Sequence, residues 1–102
     1  MKDLERLDKG DFDPHVGDEF ELELGADATL SLELIAADPL SSGTVEHATR
    51  APFSLTFRSP GERRHAPQQI YTVHHASLGA MEIFLVPIGP DEGGMRYEAI
   101  FT

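Results

Sequence analysis

The chain has 102 residues, room for a single domain spanning 1–102, and 40% of them are apolar, which supports a packed core and excludes a disordered acidic tail. Its formal charge is −10 and it has no cysteine. Disulfide frameworks, thiolate metal sites and cysteine nucleophiles are therefore excluded, and a basic surface for nucleic-acid phosphate is not expected.

Residues 1–17 read as a short helical or loop segment. Leu4 and Leu7 stand three apart ahead of Gly10, enough for one or two turns that lean an apolar stripe on the mouth of the body. Met1 to Arg6 lack the basic flank and apolar run of a signal peptide, and no stretch approaches 18 apolar residues, so a soluble, cytoplasmic protein off the membrane is expected.

From residue 18 to 102 the pattern has period two. Glu19 to Leu24 alternates glutamates with Phe20, Leu22 and Leu24, and Thr29 to Ile35 places Leu30, Leu32 and Leu34 on one face. Gly25-Ala26-Asp27 turns one into the other. The stretch 36–50, with Asp38-Pro39 and Ser41-Ser42-Gly43, reads as a long loop. Phe53 to Phe57 is a third strand, opened by Pro52. The stretch 58–67 reads as a loop rich in arginine, with Arg58, Arg63 and Arg64. Gln69 to His75 is a fourth strand, with Tyr71, Val73 and His75 inward. Ala80 to Val86 is a fifth, nearly continuous in apolar residues, so burial on both faces or a central place in the sheet is expected. A long turn over 88–94 leads to the sixth, Met95 to Phe101. Six short strands separated by turn signals predict an all-β fold, a small antiparallel barrel or barrel-like sandwich with a short N-terminal helical segment. Its expected core is Phe20, Leu22, Leu32, Phe53, Phe57, Val73, Phe84, Leu85, Tyr97 and Phe101.

The order Gly17-Asp18-x-Phe20, Pro52-Phe53-Ser54-Leu55-x-Phe57, Gln69-x-Tyr71-x-Val73-x-His75, Leu78-Gly79, Ile83-Phe84-Leu85-Val86-Pro87 and Tyr97-Glu98-Ala99-x-Phe101 resembles a family of roughly hundred-residue bacterial and phage-associated β proteins of unknown function. The resemblance implies a bacterial or phage source, a compact β domain and a setting near phage-tail-like or tail-collar assemblies. It carries no catalytic residues.

Candidate chemistry is sparse. Of the five histidines, His15, His47 and His65 fall in separate loops, while His74 and His75 are adjacent and point to opposite faces of a strand, so no converging metal-ligand set is expected. His75 reads as a hydrogen-bonded core histidine and His74 as exposed. An EF-hand counted from Asp11 fails, with Val16 where glycine is needed and Leu22 where glutamate is needed, and Asp18 reads as serving a turn. Ser41, Ser42 and Ser54 lack a nucleophile elbow, and Gly93-Gly94 precedes a strand rather than a helix, so neither hydrolase nor phosphate cradle is indicated. No cofactor is expected. The charge is lopsided, since residues 1–46 hold 13 acids and three bases while residues 47–102 hold five of each. The expected function is thus a non-catalytic structural or protein–protein interaction module, with a small ligand-binding barrel as the alternative. Arg58, Arg63 and Arg64 are the candidate partner contacts, docking on an acidic face of a neighbouring copy or another protein, with Leu4, Leu7, Pro39 and Leu40 as exposed apolar support.

Overall fold

The structure, a computed structural model, describes residues 7–25, 28–40, 52–61 and 66–101. Six antiparallel strands close into a barrel in the order β1-β2-β3-β6-β5-β4, which settles barrel against sandwich. The strands are β1 (Glu19–Glu23), β2 (Thr29–Pro39), β3 (Phe53–Pro60), β4 (Gln69–His75), β5 (Gly79–Asp91) and β6 (Gly94–Phe101). A helical turn, α1 (Lys9–Phe12), and a 3-10 turn, Asp13–His15, precede them. No helix among the described residues is long and apolar enough to cross a membrane.

Alternation places the core as expected along β1 to β4. Phe20 packs edge-on against Phe57 at 5.3 Å between ring centroids, and Phe53 stacks on Phe101 at 4.7 Å. Phe12 of α1 lies 5.9 Å from Phe53 and 5.8 Å from Phe101, and is fully buried. It is this ring that anchors the N-terminal segment. Leu7 is also buried, so it is not available as exposed support, and Leu4 lies outside the described residues. The helix starts later than the leucine spacing suggests, because Asp8 caps it: the Asp8 side chain accepts from the Asp11 N–H at 3.2 Å and Asp11 accepts from the Asp8 N–H at 2.8 Å.

Four strand C-terminal ends and one face differ from expectation. β2 runs on to Pro39 through a bulge between Leu34 and Ala36, so the expected loop begins after four more strand residues. β3 continues to Pro60, pairing with β6 over eight residues, which puts Arg58 in the barrel wall. β1 stops at Glu23, leaving Leu24 45% exposed in the turn, where its N–H donates to the Ala28 carbonyl. β5 extends to Asp91 past Pro87 and Pro90, with a bulge between Pro87 and Gly89, and the turn to β6 is short. Along β5 only one face is inside: Met81, Ile83 and Leu85 are buried while Phe84 is 48% exposed. A barrel wall has one inner surface, so even a continuously apolar strand buries alternate residues.

Gly94 holds β6 against β3. Its φ is +148°, and a Cβ there would stand 2.0 Å from the Ser59 carbonyl oxygen.

The ladder is uneven. β1 meets β4 through two register pairs, Glu21 with His74 and Leu22 with Val73, whereas β4 and β5 share seven.

Candidate functional site

Gly17 adopts φ +97° and turns the chain out of the 3-10 turn, its N–H donating to the Leu34 carbonyl at 2.7 Å. Asp18 is thereby set at the head of β1, its carbonyl accepting from the Leu34 N–H at 3.1 Å. Because β1 lies beside β4, this position faces His75 at the end of β4.

Three side chains meet there. Asp18 Oδ2 lies 2.9 Å from His15 Nδ1 and 2.9 Å from His75 Nε2, and the three donor atoms sit within 4.8 Å of one another. This corrects the expectation that no such set converges. His15 stands in the 3-10 turn, and its ring packs edge-on to His75 at 4.4 Å between centroids; Phe20 lies on the other side at 4.5 Å.

The protons can be placed from the backbone. His75 Nδ1 accepts from the Ser77 and Leu78 N–H groups, both at 3.0 Å, so that nitrogen carries a lone pair and Nε2–H is the donor to Asp18. A metal ion on His75 Nε2 would require moving the proton to Nδ1, against two backbone donors. The three side chains thus form a hydrogen-bonded triad. His75 is the satisfied core histidine expected, its side chain 4% exposed, and it also pins the turn between β4 and β5. The bonds from His75 and then His15 hold the Asp18 carboxyl below the ordinary carboxylate range, outweighing partial burial.

Beside the triad, the seam between β1 and β4 parts into a groove of about 330 Å³ lined by Glu19, Phe20, Glu21, His74, His75 and Ala76. Its rim is carboxylate-rich and it lies in the wall, so it is not an apolar pocket in the lumen. His74 is exposed, as expected, and is bonded to Glu23.

Arg58 is engaged within the chain. Its Nη1 donates to Asp91 Oδ2 at 2.9 Å and its Nη2 lies 3.7 Å from Glu33. Asp91 Oδ1 also accepts from the Gly93 and Gly94 N–H groups at 2.8 and 3.1 Å. Burial pushes the Asp91 carboxyl up, but these backbone bonds and Arg58 together leave it below the ordinary range. Arg63 and Arg64 lie outside the described residues.

The outer wall carries a feature the sequence reading missed. Ile70 on β4 pairs with Phe84 on β5, and Ile100 stands on β6, two residues past Glu98, where the β5–β6 register ends at Val86. All three are large and open to solvent, at 63%, 48% and 59%. Rows of Thr72 with Glu82 and Val86 with Glu98 flank them. The signal was present in the period-two phase of β4 and β6, which puts Ile70 and Ile100 outward.

The chain belongs to the family described as a domain of unknown function (DUF6916), whose model matches residues 7–101. Neither the curated proteins nor the solved structures contain a match to it.

Proposed function

We propose that this DUF6916 domain is a non-catalytic protein–protein interaction module that docks through the outer face of β4, β5 and β6. The observation that carries the reading is the exposed row Ile70, Phe84 and Ile100. Single exposed apolar residues are ordinary, but Ile70 and Phe84 are a cross-strand pair with Ile100 on the next strand, and burial of apolar surface against a partner is favourable by about 25 cal/mol per Å². The interior supports the same reading, since among the described residues the inward side chains of all six strands pack into one core. The proposed setting, a phage-tail-like or tail-collar-associated assembly or the cytoplasm that produces it, rests on the sequence resemblance.

The test is capture of a partner from an extract of the producing cells by immobilised protein. Wild type is compared with Ile70→Thr, Phe84→Thr, a pair that keeps strand propensity while removing apolar surface. A protein retained by wild type and lost with the pair, at unchanged melting temperature, supports the reading; equal retention by both overturns it.

A further inference from the structure

The β1–β4 seam joins two features that call for opposite chemistry. At one end is the groove edged by Glu19 and Glu21. At the other is Ile70 with its neighbour Phe84. Glu21 pairs with His74, four residues along β4 from Ile70, a distance of about 13 Å at the 3.3 Å rise of a strand. Four is an even number, so both positions present their side chains on the outer surface.

The carboxylates at the groove have no cation of their own among the described residues. Lys9 is bonded to Asp13, Arg58 to Asp91 and Glu33, and Arg96 to the Gly89 carbonyl, while His74 is taken by Glu23. Glu19 accepts only from the Ser31 hydroxyl. Among the described residues, the seam therefore offers negative charge without a cation at one end and uncovered apolar surface at the other.

Building on the interaction reading above, we propose that the occupant is an extended segment of a different protein, with an Arg or Lys four residues from a bulky apolar residue. The basic side chain enters the groove beside Glu19 and Glu21, and the apolar one covers Ile70 and Phe84. Arginine fits best, because its planar fork pairs with carboxylates and its weaker hydration suits a site floored by Phe20 and His75. A second copy of this chain is the poorer occupant, since two bodies of net charge −10 repel.

The probe is the peptide acetyl-Thr-Arg-Thr-Ser-Thr-Leu-Thr-amide, titrated into isotope-labelled protein and followed by NMR. The expected result is that Glu21, His74 and Ala76 amides and the Ile70 and Phe84 side chains shift together on one binding curve. Glu19→Gln with Glu21→Gln, and separately Phe84→Thr, each weaken binding about tenfold, as does replacing the peptide's Arg or its Leu by Ser. Equal binding of the Arg-less peptide, with shifts at Ile70 and Phe84 alone, overturns the basic occupant while leaving the apolar docking face standing. An absence of shifts overturns the proposal, and the capture experiment then judges the docking face separately. Shifts at Ile70 and Phe84 that grow with protein concentration before any peptide is added overturn it in favour of self-association.

Discussion

Replacing His75 tests how the end of β4 is held. In the native structure its Nδ1 satisfies two backbone N–H groups, of which the Leu78 group is buried and the Ser77 group partly so. His75→Ala leaves both without an acceptor. An unsatisfied buried donor costs about 1–3 kcal/mol and a half-exposed one less, and the emptied ring space beside Phe20 adds to this, so a loss of about 2–4 kcal/mol is expected. His75→Asn separates the causes. Its Oδ1 occupies the place of Nδ1, one bond beyond Cγ, and accepts from the second and third following amides as asparagine does in turns. It gives up the ring contacts and the reach to Asp18. His75→Asn is therefore expected to recover about 1–2 kcal/mol relative to His75→Ala, read as an increase in the urea midpoint at constant slope and, at about 4–8 °C per kcal/mol for a domain of this size, as a clear rise in melting temperature. His75→Gln, which extends past the amides toward Asp18, should recover less. If Asn and Ala are equally stable, the acceptor role of Nδ1 is wrong, and with it the proton placement that turns the triad away from metal binding.

Gly94→Ala should cost about 3 kcal/mol or more, because the new Cβ meets backbone at Ser59, whereas Gly79→Ala, at φ +80° with open space around it, should cost about 1 kcal/mol; equal melting temperatures would refute the clash. Asp18 has a lowered carboxyl pKa in the fold, so its contribution is present above the unfolded value and is lost as pH falls through the folded one; Asp18→Asn should flatten the acid limb of a stability–pH curve below about pH 4, and an unchanged limb would count against the triad. Chelation by EDTA should leave the melting temperature unmoved, and a shift of several degrees would show that a metal overrides the His75 tautomer.

Strand count and pairing sense were legible because β1, β2, β4 and β6 alternate cleanly and the turns are marked by glycine and proline. β5 was read less well: Glu82 shares the outward phase of Phe84, but the apolar run Ile83-Phe84-Leu85-Val86 after it masked that signal. Pro87 and Pro90 hid the rest of that strand, as proline ordinarily signals a strand's end. The triad was illegible for another reason. His15 and His75 are 60 residues apart, and they meet only because Gly17 folds the 3-10 turn back and β1 closes on β4. His75 alone was readable, from the inward phase it shares with Tyr71 and Val73.

A wall in which neighbouring strands are joined by as many as eight pairs at one junction and by two at another does not breathe evenly. Thermal fluctuations concentrate where fewest bonds must break together, so the first excursion from the native state parts β1 from β4 and turns the closed wall into an open, curled sheet. Amide exchange at Leu22 and Val73 should then outpace that at Leu55 and Ala99, on the eight-pair junction. The Asp18 carboxylate, gripping a histidine from each side of that opening, works as a clasp, and whatever loosens it sets how often the free edges of β1 and β4 are presented to solvent.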